Sequence, residues 1–200
     1  MQSVDRYDRP INYLRVSVTD RCNLRCQYCM PSQGVPFKAH QDILRYEEIE
    51  RIVRAAVGLG IQRVRLTGGE PLVRAGVVDL VRMLVGIEGL EDLAMTTNGM
   101  LLGPYAADLR RAGLMRVNVS LDTLREERYA AITRGGQLAE VLAGIASAEE
   151  VGLTPVKINA VVMRGVNDDE IADLARLTLE RSWHVRFIEL MPLNDCSHGF

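Results

Sequence analysis

The sequence lacks the features of membrane, secreted and fibrous proteins. Its 200 residues contain no apolar run of about eighteen, the length that a membrane span needs. The charged start, with Asp5, Arg6, Asp8 and Arg9, offers no apolar stretch of the kind that a signal peptide has. No segment is of low complexity or forms a linker rich in proline or serine. We therefore expect a cytoplasmic protein with no membrane contact, in which residues 1–200 form a single domain.

The chain also lacks a large excess of charge of either sign. Lys and Arg total 24 against 26 for Asp and Glu, so the formal net charge is −2. Nucleic acid is not an expected partner, because a nucleic-acid-binding domain usually carries a basic excess. Aromatic residues make up only 5% of the chain, but the hydrophobic fraction of 48% is enough to build a sizeable core.

Cysteine is scarce and unevenly placed. Three of the four cysteines, Cys22, Cys26 and Cys29, crowd into one short segment, and Cys196 is almost at the other end of the sequence. A secreted disulfide framework would spread its cysteines more evenly. We interpret Cys196 as incidental.

Helical and strand patterns alternate along the whole chain. Segments with apolar residues three and four apart end at Gly60, Gly89, Gly113 and Gly152, and each glycine is followed by a strand-like segment. Six strands are predicted, near residues 11–19, 62–67, 92–97, 115–121, 155–162 and 184–191. This repeat favours a parallel α/β sheet with helices packed outside. Six units are too few for a closed eight-stranded barrel, so an incomplete barrel and an open doubly wound sheet both remain.

One face of the predicted strands is polar. Strands covered by helices on both sides should be almost continuously apolar, whereas here polar and apolar residues alternate. An antiparallel sheet with a solvated side is one explanation, although the interleaved helices argue against it. The other is a barrel-like sheet with a polar interior. The alternating polar residues are Arg15, Ser17, Thr19, Arg65, Thr67, Asn118, Ser120, Asp122, Lys157 and Asn159.

A polar interior would bring three cations into one cavity. Arg15, Arg65 and Lys157 lie on the polar face of three different strands. Desolvated positive charge needs anionic partners, and phosphates are the usual ones. The pattern therefore predicts an anionic, phosphorylated substrate.

The three clustered cysteines follow directly on the first strand, at the functional end of a βα unit. Their C-x3-C-x2-C spacing can hold three irons of a 4Fe–4S cluster and leave the fourth iron open to another ligand. One alternative is a structural zinc site, whose fourth ligand would come from His40, His184, His198 or Cys196. Another is a redox pair formed by Cys26 and Cys29.

This motif, with Tyr28 before its last cysteine, resembles that of the radical S-adenosylmethionine (SAM) enzymes. The segment Thr67–Pro71 resembles the Gly-Gly-Glu-Pro segment of the same superfamily. A Gly-Gly turn before a proline is also common in connections between a strand and a helix. Within the superfamily, the chain is most similar to MoaA, the family of GTP 3′,8-cyclases of molybdenum cofactor synthesis. The segments that carry this resemblance are residues 15–23, 65–72, 96–99, 118–123 and 186–192.

The resemblance implies a fold and a set of site residues. The fold is an incomplete parallel (β/α)6 TIM-like barrel. The implied ligands of the 4Fe–4S cluster are Cys22, Cys26 and Cys29. The residues implied to contact SAM are Tyr28, Gly69, Ser120 and Met191, of which Met191 is also explained as an apolar core residue. The residues implied to contact GTP are Arg15, Arg65, Thr96 and Lys157.

The resemblance also implies a reaction and partners. It implies a lyase that converts GTP to 3′,8-cyclo-7,8-dihydro-GTP through a 5′-deoxyadenosyl radical, without a general acid or base. Asp20, Asp122 and Glu189 could orient substrate groups, or serve as helix caps and ion-pair partners. Expected partners are a flavodoxin-like electron donor, a second copy in a homodimer, and a MoaC-type cyclic pyranopterin monophosphate synthase downstream.

One departure from the family affects the functional interpretation. The family continues into a C-terminal region with a second three-cysteine cluster, and we expect that region to be absent from this chain. Two other functions therefore stay open. One is a radical SAM enzyme with a different substrate, and the other is a non-catalytic partner module that binds a cluster or zinc.

Overall fold

The computed structural model describes residues 4–191, which form alternating strands and helices. The strands are β1 (Tyr13–Ser17), β2 (Arg63–Thr67), β3 (Asp92–Thr97), β4 (Arg116–Ser120), β5 (Lys157–Val162) and β6 (His184–Glu189). The helices are α1 (Tyr46–Gly58), α2 (Val77–Val85), α3 (Leu102–Arg111), α4 (Glu126–Thr133), α5 (Leu138–Glu150) and α6 (Ile171–Glu180). Single-turn 3-10 helices cover His40–Asp42, Pro71–Val73 and Asp168–Glu170.

All six predicted strands are present, and each pairs in parallel with the next one along the chain. The strand order β1-β2-β3-β4-β5-β6 never reverses, as it would in a doubly wound sheet. The incomplete (β/α)6 barrel is therefore confirmed, and the open doubly wound and antiparallel alternatives are wrong. The observed strands are shorter than predicted at several ends, most of all β1, where residues 11, 12, 18 and 19 lie outside the strand.

The core fills the space between the sheet and its helices. Alternate residues of the central strands, such as Leu66, Met95 and Val117, are fully buried and face this layer. The helices contribute apolar residues three and four positions apart, such as Leu80 and Leu84 of α2. Among residues 4–191, no helix combines the length and the hydropathy that a membrane span requires.

Gly68 and Gly69, at the end of β2, make room for the chain that leaves β1. The Gly69 amide donates a hydrogen bond to Thr19 O at 2.7 Å. A Cβ atom on Gly69 would lie 2.2 Å from Arg21 O, and one on Gly68 would lie 2.5 Å from Thr19 O. Side chains are therefore excluded at both positions by backbone of the loop that leads to the cysteines.

Glu70 fastens the end of β2 to the end of β3. Its buried carboxylate accepts hydrogen bonds from Leu72 N at 3.0 Å, Thr97 Oγ1 at 2.8 Å and Asn98 N at 2.6 Å. Burial raises the pKa of Glu70, and these hydrogen bonds oppose that shift. The carboxylate thus fixes the loop after β3 relative to the glycine pair.

Glu170 has the same function two strands further on. Its buried carboxylate accepts hydrogen bonds from Thr123 Oγ1 at 2.5 Å and Leu124 N at 2.7 Å, and it pairs with Arg128. The segment before α6 is thereby joined to the loop after β4.

Asp122, between β4 and α4, joins three parts of the molecule. Its Oδ1 accepts a hydrogen bond from Val161 N of β5 at 2.8 Å, and its Oδ2 accepts one from Tyr28 Oη at 2.7 Å. Burial raises the pKa of Asp122 from 3.8 to about 6, although both hydrogen bonds favour the charged form. The loop that carries the cysteines is therefore attached to β4 and β5 through one carboxylate.

We predict that Asp122→Asn changes how stability depends on pH. Between pH 3.8 and about 6 the folded protein holds a proton on Asp122 that the unfolded chain has released. The contribution of Asp122 to the free energy of unfolding is therefore largest below this window and is lost as the pH rises through it. In Asp122→Asn the free energy of unfolding should no longer decrease between pH 3.8 and about 6 for this reason. Urea denaturation of the cluster-free protein at several pH values measures it. Asp173→Asn, on the exposed side of α6, is the matched control, and equal pH profiles for Asp122→Asn and the parent would contradict the prediction.

Candidate functional site

The cysteine loop lies at the carboxyl end of β1 and is held against the end of α4. Arg25 N donates to Thr133 O at 3.1 Å, and Gln27 N donates to Ile132 O at 2.9 Å. Within the loop, Cys26 O accepts hydrogen bonds from the backbone N–H groups of residues 29 and 30. The three cysteines therefore follow a backbone path that is fixed on both sides.

Arg134 fixes the same loop from outside. This residue ends α4 in the left-handed conformation, with φ 56°. Its Nη1 donates to Arg25 O at 3.1 Å and to Met30 O at 2.7 Å, the residues just before Cys26 and just after Cys29. Arg134 is not predicted from the sequence, because its contacts are with residues more than a hundred positions away.

The surroundings of the three thiols suit a thiolate-bound cluster. Cys22 Sγ accepts hydrogen bonds from Leu24 N at 3.4 Å and Asn98 Nδ2 at 3.8 Å, the kind of contact that tunes an iron–sulfur centre. Burial is the main cause that raises the pKa of Cys22, Cys26 and Cys29. The thiolates would therefore need a nearby positive charge, which bound iron would provide.

The zinc alternative depends on where its suggested ligands lie. Within residues 4–191, no three His, Cys, Asp or Glu side chains are grouped closely enough to hold one ion. His184, one suggested zinc ligand, opens β6 and so lies at the opposite edge of the parallel sheet from the cysteine loop. His40 lines an outer cavity, and Cys196 and His198 lie outside the described residues. His184 is therefore wrong as a fourth ligand.

The four residues predicted to contact SAM lie along the carboxyl-terminal edge of the sheet. Tyr28 lies in the cysteine loop, and Gly69, Ser120 and Met191 follow or end β2, β4 and β6. Met191 is 57% exposed, so its interpretation as a core residue is wrong. Gly69 is required by the approach of Arg21, a structural reason that the sequence did not reveal.

The predicted substrate residues share the inner face of the barrel. Arg15 pairs with Arg65 in register, and Thr96 pairs with Asn118, which in turn pairs with Lys157. Residues paired in this way point to the same side of a parallel sheet. The alternation in the sequence therefore located one continuous polar surface.

The inner cations are close enough to repel one another. Burial lowers the pKa of Arg65, and Arg186, Arg116 and Arg15 lower it further. Burial also lowers the pKa of Lys157, with contributions from Arg116, Arg186 and Arg65. An anion inside the barrel would relieve this repulsion.

Three further inner residues were not predicted as site residues. Arg186 of β6 adds a cation, whereas the charge of Arg116 is balanced by a two-pronged pair with Asp92. Asn118 is fully buried, and neither its Oδ1 nor its Nδ2 has a hydrogen-bond partner among residues 4–191. The Nε atom of Arg65 is also buried and has no hydrogen-bond partner within residues 4–191. The alternation that selected Arg65 and Lys157 also covers these positions and could have identified them.

Comparison with known sequences agrees with this geometry. The model of the Radical SAM superfamily matches residues 16–178. A GTP 3′,8-cyclase from Moorella thermoacetica is 60% identical over 193 residues, a match that covers 96% of this chain and 60% of that protein. One from Petrotoga mobilis is 59% identical over 194 residues and is matched over 97% and 60% of the two chains. The chain thus spans about 60% of the length of these curated relatives.

Solved structures share the fold at low sequence identity. Streptococcus suis SuiB bound to S-adenosylmethionine superposes with a TM-score of 0.75 and 20% identity, over 92% of this chain and 42% of that one. Methylornithine synthase superposes with a TM-score of 0.72 and 21% identity, over 90% and 53%. The cysteine motif, the barrel and the match over residues 16–178 together show that the chain belongs to the Radical SAM superfamily.

Proposed function

We propose that this chain is the radical SAM domain of a GTP 3′,8-cyclase, the first enzyme of molybdenum cofactor synthesis. The observation that carries the proposal is a cysteine loop at the rim of a barrel whose interior holds an excess of cations. Identity of about 60% to GTP 3′,8-cyclases over almost the whole chain supports it. Uncharged substrates would not need Arg15, Arg65, Lys157 and Arg186 on one inner surface.

Cys22, Cys26 and Cys29 are the proposed ligands of the 4Fe–4S cluster, with one iron left for SAM. Superfamily membership supports both cofactors. Cys22 and Cys26 are half-buried and Cys29 is exposed, and N–H groups are directed at Cys22 Sγ, an arrangement that suits this role. When bound at these cysteines, the cluster would supply the electron for reductive cleavage of SAM and so the radical chemistry at the ribose of GTP.

Tyr28, Gly69, Ser120 and Met191 are the proposed SAM contacts. The hydrogen bond from Tyr28 to Asp122 fixes the ring of Tyr28 beside the cysteines. The glycine pair lets the chain after β2 run directly along the start of the cysteine loop, so the two sides of the proposed SAM site are in backbone contact. These residues contribute position and exclude water, and the proposal assigns no proton transfer to them.

Arg15, Arg65, Thr96 and Lys157 are the proposed GTP contacts, and Arg186 extends the same surface. The cations neutralise the triphosphate, and Thr96 Oγ1 can donate a hydrogen bond to it. The polar atoms of Asn118 and Arg65 that lack partners within residues 4–191 lie on this inner face and would be satisfied by a polar ligand.

The remaining parts of the proposal concern assembly. We assign residues 1–200 to one radical SAM domain without a second cluster, so the guanine base would be bound elsewhere in the complete enzyme. A flavodoxin-like electron donor, a homodimer and a MoaC-type enzyme that consumes the product complete the proposed partners.

The deciding experiment measures 5′-deoxyadenosine formed by anaerobically reconstituted protein with SAM and dithionite, with and without GTP. Production stimulated by GTP supports the proposal. Slow formation of 5′-deoxyadenosine at the same rate with and without GTP would mean that the SAM site works without a coupled substrate site. Loss of all production with one bound zinc and no labile sulfide would favour a non-catalytic module.

Each of Cys22→Ala, Cys26→Ala and Cys29→Ala should abolish stable cluster binding. Three thiolates are the minimum that holds a cube with one open iron, so removing one leaves two attachment points. Iron, labile sulfide and visible absorption after reconstitution are the measurements. Cys196→Ala is the matched control and should keep the full iron content, and retention of the cluster in any of the three variants would contradict the ligand assignment.

Arg65→Gln and Lys157→Met should each weaken GTP binding by about 10- to 100-fold, because a charge-assisted hydrogen bond contributes about 1.5–3 kcal/mol. Titration calorimetry with GTP, and with inorganic triphosphate as the base-free probe, measures the effect. Arg181→Gln, on the surface after α6, is the control. If both inner variants keep the GTP affinity of the parent, the assignment of Arg65 and Lys157 as GTP contacts is wrong.

A further inference from the structure

A second basic concavity lies outside the barrel, beside the cysteine loop. Its volume is about 420 Å³, and its walls come from residues 19–21, the segment 38–46 and residues 73–75. It is separate from the inner surface that carries Arg15, Arg65 and Lys157, none of which lines it. The proposed binding of SAM and GTP therefore leaves this concavity without a role.

The charges around it are unbalanced. Four permanent cations line it, namely Arg21, Lys38, Arg45 and Arg74, against the carboxylate of Asp20, while Asp42 lines the smaller adjoining cavity. Within residues 4–191, neither Arg21 nor Lys38 forms an ion pair, whereas Arg45 reaches Glu48 at 3.5 Å. Such a field attracts anions and accelerates encounters with negatively charged partners.

Exposed apolar side chains lie in the residues that lead into the segment 38–46, at Val35 and Phe37, and within it, at Leu44. Val35 is 43% exposed, Phe37 52% and Leu44 47%. Phe37 also lies under the guanidinium of Arg21, 5.5 Å from its ring centre. Aromatic and arginine side chains are enriched in protein interfaces, and an apolar rim would add nothing to the binding of a small inorganic anion. The composition therefore favours a protein partner.

The concavity is also close to the proposed cluster ligands along the chain. Asp20 and Arg21 line it, and Cys22 is the next residue. Lys38 N donates to Asp20 Oδ2 at 2.6 Å, which ties the basic segment to the start of the cysteine loop. A partner bound here would lie beside the start of the cysteine loop.

We infer that this surface, centred on Arg21, Phe37, Lys38 and Arg45, is the docking site of an acidic one-electron donor protein. The inference rests on the proposed cofactor function. In the transfer, the docked donor is oxidised by one electron and the charge of the cluster falls by one, with no bond formed or broken. Redox encounters of this kind use small interfaces, below about 1,200 Å², which a patch of this size can supply.

The test compares two double variants with the same change of charge. Lys38→Glu/Arg45→Gln alters the proposed surface, and Arg181→Glu/Arg111→Gln alters exposed cations at the opposite edge of the sheet. Binding of oxidised flavodoxin is measured by calorimetry, and cluster reduction by flavodoxin hydroquinone is followed by stopped-flow absorbance. At low salt we expect the first variant to bind flavodoxin about tenfold more weakly than the parent and to be reduced about tenfold more slowly. We expect the control variant to match the parent in both measurements.

Two further measurements separate this inference from its alternatives. The difference should vanish near 1 M salt, where charges act over only about 3 Å, and reduction by dithionite should be equal in all three proteins. Equal behaviour of the two double variants towards flavodoxin would overturn the inference. So would pyrophosphate binding that depends on Lys38 without any flavodoxin binding, since that result identifies a small-anion site. If GTP fails to stimulate the formation of 5′-deoxyadenosine, only the assignment of GTP as substrate is contradicted. The docking inference is tested separately, because flavodoxin binding does not involve GTP.

Discussion

A buried carboxylate must be satisfied by hydrogen bonds or a cation, and this requirement organises the functional rim of the barrel. Glu70, Asp122 and Glu170 follow or face the ends of different strands, and each accepts donors from a neighbouring loop. The loops therefore take positions that the carboxylates dictate. A rim built in this way can hold exposed thiols and polar side chains in place without burying them in an apolar core.

Local patterns in the sequence were sufficient for the alternating strands and helices and for three of the inner cations. The period of two in β1, β2 and β5 placed Arg15, Arg65 and Lys157 on one face, and glycines marked the helix ends with positive φ at residues 60, 89, 113 and 152. Pairing order was beyond these patterns, since both a barrel and a doubly wound sheet repeat the same βα unit. The strand order required either the resemblance or the structure.

Contacts between distant residues explain what the sequence did not reveal. Tyr28 and Asp122 are 94 positions apart, and Arg134 reaches Arg25 across 109 positions. No periodicity connects such pairs, because the tertiary fold and not local spacing brings them together. Arg186 and Asn118 are a different case, since the same alternation covers them and the prediction simply stopped short of assigning them a role.

The contact between the glycine pair and residues 19–21 has a consequence for protein engineering. The cysteine segment does not carry its own support, because its first half rests on backbone from β2 that must lack side chains. Grafting residues 19–30 alone onto another six-stranded scaffold would transfer the thiols without the glycine backbone that supports the start of their loop. A transplant would have to include Gly68, Gly69 and Glu70 as an obligatory second fragment.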